Sequence, residues 1–265
     1  MQQTGHDTTP GGIIERGNLA VWSPPPTQRP ANVHLLVTTR HGGVSAPPWD
    51  SLNMSWSTGD DRENVETNRA RLRATTKVAH WHWLHQVHGD AMVDASTMTS
   101  IPGGTLQADG LWTDQRGVAL AVGIADCVPI FLWDRRGTRL AVVHAGWRGT
   151  EQAIVQRGIK CLVDSGIRPE ELGMALGPSI GPCCYEVSEE VLSRLPVVAR
   201  QQRAEGNFAD LRAANRHLAL QLGIPEDQIA ADPPCTACHT QHFFSHRSQG
   251  PATGRMWAVA WLEAS

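Results

Sequence analysis
Residues 118–133 read VALAVGIADCVPIFLW and residues 139–149 read RLAVVHAGWRG, with Asp134-Arg135-Arg136-Gly137 in the polar stretch between them. Both runs are apolar and rich in β-branched residues, and a polar, glycine-containing interruption is a turn signal, so the segment predicts a β-hairpin. When two strands pair symmetrically about a turn, the numbers of opposing residues share one sum. Cys127 with His144 has the same sum as Asp134 with Gly137, which puts thiol and imidazole on one face with Cβ atoms about 5 Å apart. Side chains at that separation are able to share a metal ion.

Local patterns extend the reading outward. Val33-His34-Leu35-Leu36-Val37-Thr38-Thr39 has the composition of a buried strand and runs into the turn-rich Arg40-His41-Gly42-Gly43-Val44-Ser45, which presents a cation. Asp60 or Asp61 caps a helix through about Lys77, with Val65 and Leu72 on one face. Further helices are predicted from about Thr150 to Asp164, ended by Gly166, then near Ser188–Leu195 and Ala209–Leu222, before a last strand around Met256–Trp261. Strands and helices mix without a strict βαβ rhythm. The fold class is therefore α+β, or layered α/β, with mixed sheets flanked by helices.

The 265 residues suit a single domain over 19–265 preceded by a flexible segment over 1–18. Pro24-Pro25-Pro26 and Pro30 read as an extended connector. No apolar stretch approaches the roughly 20 residues of a membrane span. The N-terminal residues lack the basic and apolar regions of a secretory signal. Six irregularly spaced cysteines without such a signal point to reduced thiols or metal ligands in the cytoplasm. A net charge of −3 from interspersed acids and bases excludes the electrostatic footprint of a nucleic-acid binder. The ten tryptophans follow no repeat and are assigned to the core or to pocket walls.

Three short stretches carry the chemistry: His85-Gln86-Val87-His88-Gly89, Ala125-Asp126-Cys127 and His144-Ala145-Gly146-Trp147-Arg148-Gly149. Two imidazoles and a thiolate suit zinc. Three protein ligands, rather than the four of a closed structural site, leave a position for substrate, so His88, Cys127 and His144 predict a catalytic centre. The alternative from spacing alone is a buried thiol between core histidines. Arg40, Arg148 and Arg247 are candidate phosphate binders, Arg148 because it would flank the N-terminus of the helix beginning near Thr150. Cys235-Thr236-Ala237-Cys238-His239, with His242 and His246, resembles half of a structural zinc site, but no distant second pair is evident. Cys183-Cys184 is assigned to a pocket wall.

These stretches, with residues 39–45, Ser51-Leu52-Asn53, Gly59-Asp60-Asp61, Ala108-Asp109-Gly110, residues 177–187 and Phe243-Phe244-Ser245-His246-Arg247, resemble the laccase-domain family from about Leu35 to Leu262. Its members were long labelled multicopper polyphenol oxidases and are regarded as zinc-dependent purine nucleoside phosphorylases with adenosine deaminase activity. The resemblance implies phosphorolysis of adenosine, inosine, guanosine and S-methyl-5′-thioadenosine, and conversion of adenosine to inosine. It implies zinc on His88, Cys127 and His144, with copper a less favoured occupant. Implied catalytic residues are His85, Asp126, Cys127 and Arg148, and implied substrate or phosphate binders are Arg40, Ser45, Asn53, Arg148 and Arg247. Partners are then purine nucleosides and phosphate, with the chain a monomer or homodimer.

Two rival chemistries remain open at this point. A copper oxidase needs a trinuclear cluster built from many paired histidines, and only His80-Trp81-His82 has the H-x-H form. A thiol hydrolase would use Cys127 as nucleophile and His144 as base, a pair that toxins of the similar cytotoxic necrotizing factor-like fold also carry. Zinc deaminases of other families use a glutamate as proton shuttle within H-x-E, and that motif is absent here. His85 or Asp126 would have to take that part.

Overall fold
The structure is a computed structural model that describes residues 11–25, 29–98, 105–230 and 232–264. Its first half contains β1 (Gly12–Arg16), β2 (Leu19–Ser23), β3 (Val33–Thr38), α1 (Arg62–Thr76), β4 (His80–Trp83), β5 (Met92–Asp94), β6 (Gly110–Thr113) and β7 (Val118–Ile124). There follow β8 (Val128–Asp134), β9 (Leu140–Ala145), α2 (Trp147–Glu151), α3 (Ile154–Asp164) and β10 (Leu172–Leu176). The last part holds α4 (Glu189–Arg194), β11 (Arg200–Arg203), β12 (Gly206–Ala209), α5 (Leu211–Gln221), β13 (Ile229–Ala230), α6 (His246–Gln249) and β14 (Met256–Leu262).

Two six-stranded mixed sheets result, in the orders β1-β2-β3-β14-β7-β4 and β13-β10-β8-β9-β6-β5. Alternation along the strands explains how they stack. Leu120 and Val122 of β7 meet Phe131 and Trp133 of β8 and Leu140 and Val142 of β9 in one buried cluster between the sheets. The opposite face of β7, with Ala119 and Ala121, packs with Leu72 of α1 and Trp257. Ile130 and Leu132 of β8 pack with Ile154, Ile159 and Leu162 of α3 and with Leu211 of α5. The layers therefore run helix, sheet, sheet, helix, which is the expected α+β class. Because both faces of these strands are covered, their sequences are almost continuously apolar.

Four sequence expectations need correction. The apolar run over 118–133 is two strands, and β7 and β8 belong to different sheets. The chain crosses between the sheets at Ala125-Asp126-Cys127, where Asp126 takes a left-handed φ of 92°. The β8–β9 hairpin is also shifted: His144 pairs with Pro129 rather than with Cys127, and Trp133 pairs with Leu140. The cause is the turn. Asp134 is 1% exposed, and its carboxylate accepts from the amides of Arg136 (3.3 Å), Thr138 (2.7 Å) and Arg139 (2.7 Å) and from Thr138 Oγ1 (2.9 Å). These bonds favour a four-residue loop containing Gly137 at φ 64° over a two-residue one. A shift of two positions keeps every side chain on its face, so the thiol and imidazole still meet.

The third correction concerns the N-terminal segment expected to be flexible. Residues 1–10 of it lie outside the described residues, but Gly12–Arg16 is β1, paired antiparallel with β2 from Gly12↔Ser23 to Arg16↔Leu19. α1 begins where the sequence placed it, with the Asp61 carboxylate accepting from Glu63 N at 2.8 Å. The helix expected over 150–164 is two helices, because Ala153 adopts φ 57° between α2 and α3.

Asp134→Ala should cost about 2–3 kcal/mol of stability, because three turn amides and the Thr138 hydroxyl would lose a buried carboxylate acceptor. Urea unfolding of parent and variant checks this; a change below about 0.5 kcal/mol would show that the carboxylate does not set the turn.

Candidate metal centre and active-site cavity
At one end of the sandwich the sheet-crossing residues open onto a cavity of about 540 Å³. His88, Cys127 and His144 line it, and their ligating atoms lie within 4.8 Å of one another. Each reaches this point by a different device. His144 stands near the end of β9, on the face turned toward the opposite sheet, and is 3% exposed. Cys127 follows the left-handed Asp126 just before β8. His88 has a left-handed φ of 61° itself, and its ring lies edge-on to that of His144 with centroids 4.9 Å apart.

Asp109, fully buried, holds the group together. Its carboxylate accepts from three consecutive amides, Val87 (3.2 Å), His88 (3.0 Å) and Gly89 (2.8 Å), which offsets the strain of the left-handed His88. The same carboxylate lies 2.8 Å from His144 Nδ1, leaving Nε2 to serve as ligand. Gln86 adds a two-way clamp: Gly123 N donates to its Oε1 at 2.7 Å and its Nε2 donates to Gly123 O at 2.9 Å. At Gly146 an added Cβ would come within 3.0 Å of His88 Cδ2 and 3.1 Å of Cys127 Sγ, so the bare backbone there is what lets the ligands converge. This donor set fits a tetrahedral zinc with one open position.

The charges agree. Burial alone would raise the Cys127 thiol, but His144 and then His88 bring it down from 9.0 to about 6. Burial likewise opposes charging of His144, yet the Cys127 thiolate and Asp109 raise the imidazole from 6.5 to about 9. Without metal, near neutral pH, the pair is thiolate and imidazolium.

The other expected site residues divide. His85 is exposed and lines the cavity. Asp126 lines it too, but its carboxylate is committed, accepting from Thr236 Oγ1 at 2.6 Å and from Arg247 N at 2.7 Å. Arg247 lines the cavity with its guanidinium 5.1 Å from the Tyr185 ring centroid. Arg148 lies inside α2 rather than ahead of a helix, exposed and stacked 4.4 Å from the Trp147 ring centroid. Arg40 is elsewhere: its donors go to Asp50 O (2.8 Å), Asp50 Oδ2 (3.0 Å) and Thr240 O (2.8 Å), so it fastens two loops. Ser45 is a scaffold residue, donating to Asp60 Oδ2 at 2.6 Å. Asn53, fully buried, donates to Ser55 O and Asp60 Oδ2 and accepts from Arg255 N at 2.9 Å, so it positions two cavity walls without lining the cavity.

Sequence reading missed Tyr185 and Arg255, which line the cavity, whereas Trp56 and Trp83 are among the tryptophans it assigned to the core or to pocket walls and do line it. Tyr185 is the single tyrosine of the chain, and burial together with the Cys127 thiolate pushes it up to about 12, so its hydroxyl stays a neutral donor. Its rarity beside the motif Gly181-Pro182-Cys183-Cys184 was the available signal. Arg69 is buried beneath the tryptophan wall, 3.7 Å from the Trp56 ring centroid and 4.5 Å from that of Trp257.

Fold and site together define an α+β protein with a three-ligand His/Cys/His group at the floor of an aromatic and cationic cavity. The family model described as multi-copper polyphenol oxidoreductase laccase matches residues 34–263, and the chain belongs to that family. It is 37% identical over 243 residues to the purine nucleoside phosphorylase YlmD of Geobacillus stearothermophilus, covering 84% of this chain and 87% of the relative. It is 35% identical over 245 residues to the purine nucleoside phosphorylase YfiH of Escherichia coli, covering 90% and 97%. The crystal structure of the Geobacillus stearothermophilus YlmD superposes with a TM-score of 0.88 at 33% identity, covering 96% of this chain and 100% of that one.

Asp109→Ala should weaken zinc binding by about 10–100-fold, since it removes both the His144 partner and the acceptor of the His88 loop. Competition with a chelating dye measures this, and parental affinity would refute the role. A second expectation concerns protons. Ligands must be deprotonated to bind metal, so zinc uptake at pH 7–8 should release about one proton, from His144. Below the Cys127 value of about 6 a second proton must also leave, and affinity should fall more steeply with falling pH. Calorimetry in buffers of different ionisation enthalpy tests it; no proton release at neutral pH would contradict the thiolate–imidazolium pair.

Proposed function
We propose that this chain is a zinc-dependent purine nucleoside phosphorylase that also deaminates adenosine. One observation carries the reading: His88, Cys127 and His144 converge at the floor of a cavity whose walls combine Trp56 and Trp83 with Arg247 and Arg255. The relatives named as purine nucleoside phosphorylases support the same reading. Substrates are adenosine, inosine, guanosine and S-methyl-5′-thioadenosine, which with phosphate yield the base and the pentose 1-phosphate. The six cysteines are free, which suits a reducing cytoplasm, and among the described residues no helix is long and apolar enough to cross a membrane.

Bound zinc supplies Lewis acidity. The protein supplies the rest. Trp56 and Trp83, edge to face at 6.1 Å, offer an apolar wall for a purine. Phosphorolysis needs phosphate held against C1′ of the ribose, and guanidinium groups bind it bidentately. Arg247 and Arg255 line the cavity and take that role, with Arg148 close enough to act electrostatically on Tyr185, while Arg40 is withdrawn from the set. Tyr185 is the neutral hydroxyl that donates to the departing base. His85 is the preferred proton carrier for deamination, because the Asp126 oxygens are already occupied.

A thiol mechanism is the second reading. The observation favouring it is the series Asp109, His144, Cys127, in which an oriented imidazole lowers the thiol. The copper reading gains from the two-histidine, one-cysteine set, which is also that of blue-copper sites. A multicopper oxidase needs a second, histidine-rich cluster, and among the described residues the other metal-capable group is all cysteine.

Product analysis of adenosine turnover tests the proposal. Omitting phosphate should leave conversion to inosine running and abolish release of ribose 1-phosphate, whereas removing zinc, or Cys127→Ala, should stop both. Arg247→Ala should keep its zinc and raise the phosphate requirement. An apo-protein that deaminated adenosine at the parental rate would overturn the zinc reading in favour of the thiol. Stoichiometric copper with a blue colour would overturn it in favour of an oxidase.

A further inference from the structure
We infer that Cys183, Cys184, Cys235 and Cys238 form a second, structural zinc site, closed by four thiolates. Their sulfur atoms all lie within 4.8 Å of one another, with Cys183 Sγ 3.5 Å and Cys184 Sγ 3.3 Å from Cys238 Sγ. A tetrahedral zinc with bonds of about 2.3 Å requires sulfurs about 3.8 Å apart, close to what is seen. A disulfide requires about 2.05 Å, and all four cysteines are free. Four thiolates leave no open position, which is the mark of a structural rather than a catalytic site.

The surroundings are built for this. Each cysteine pair sits on a tight turn: Cys184 N donates to Gly181 O at 3.0 Å, and His239 N donates to Cys235 O at 3.1 Å. The Gly181 amide points at Cys235 Sγ from 3.2 Å, the kind of hydrogen bond that stabilises a metal-bound thiolate. Arg212 joins the two turns, donating to Ser179 Oγ (2.9 Å) and Ser179 O on one side and to Pro233 O (2.7 Å) and Pro234 O (3.0 Å) on the other. Its charge offsets part of the net negative charge of zinc with four thiolates. The missing second pair of the Cys235-x-x-Cys238 motif is therefore Cys183-Cys184, which is a ligand pair and not a pocket wall. The histidines are not ligands: His239 Nδ1 lies 2.9 Å from Cys235 O, His242 lies edge-on to His41, and His246 lines the active-site cavity.

Such a zinc would staple the turn leading to Tyr185, which lines the cavity, to the turn carrying Thr236, whose hydroxyl donates to the cavity-lining Asp126. Nothing in this inference depends on the reaction catalysed there. Elemental analysis of protein purified with a thiol reductant should find about two zinc ions per chain. Cys127→Ala should keep one, and Cys235→Ser with Cys238→Ser should keep the other while losing thermal stability. In the Cys127→Ala protein, X-ray absorption should show about four sulfur neighbours at ~2.3 Å. Should the double variant fail to fold, alkylation of the native parent decides: all four cysteines should resist until a chelator removes zinc. Loss of all zinc in Cys127→Ala, a disulfide mass deficit among the four, ready alkylation before chelation, or iron in place of zinc would each overturn the assignment.

Discussion

A carboxylate with no exposure to water must be surrounded by donors or it would not stay charged, and Asp109 is surrounded on every side. Burial pushes it up, while His144 and the amides of Gly89 and Val87 bring it below the usual carboxylate range. Three consecutive amides can converge on one carboxylate only if the backbone turns sharply, which is why His88 occupies a conformation a histidine seldom adopts. The backbone of Asp109 contributes as well, its carbonyl accepting from His144 N at 2.7 Å and its amide donating to Ala91 O at 3.0 Å. One residue thus fixes the position of one ligand, the orientation of a second and the loop between them.

The third ligand depends on the crossing between sheets. Asp126 leaves β7 in a left-handed conformation, and its carbonyl accepts from Ile180 N at 2.8 Å. Its carboxylate reaches Thr236 and the Arg247 amide, so three distant segments meet at the residue before Cys127. The four-cysteine cluster adjoins these contacts, since Thr236 follows Cys235 in sequence and the amide of Gly181, next to Ile180, donates to Cys235 Sγ.

Electrostatics then decides what the cavity does. Two buried groups that would each be neutral alone charge one another, and the thiolate so produced serves a metal or a nucleophile equally well. His88 adds to both, since it helps to hold the Cys127 thiolate and places a third donor within 4.8 Å of the other two, where a metal ion could be held. Across the cavity, Arg255 is kept partly desolvated among Thr253, Gly254 and Asn53, where a guanidinium binds an anion more strongly than at an open surface.

The sequence alone determined the elements whose signals are local. The Asp61 cap, the helix near Ser188–Leu195 and the double-sided apolar strands are short-range consequences of side-chain hydrogen bonding and burial, so they were legible. The His88, Cys127 and His144 set was legible because only a few metal-ligating residue types recur within motif blocks. Tertiary structure decided what depends on distance through space. It split residues 118–133 between two sheets, because an apolar run carries no mark of where it changes partner. It moved the hairpin register by two, because the Asp134 carboxylate can close a turn of either length until the amides around it are fixed. It withdrew Arg40, Ser45 and Asn53 into the scaffold and brought forward Tyr185 and Arg255, since nothing in a residue's type says which way its donors will face. It paired Cys183-Cys184 with Cys235 and Cys238 across fifty residues of chain, a separation of about that size carrying no local signal. Local bonding writes itself into neighbouring residues, whereas a site assembled from separate loops exists only after the chain has closed on itself.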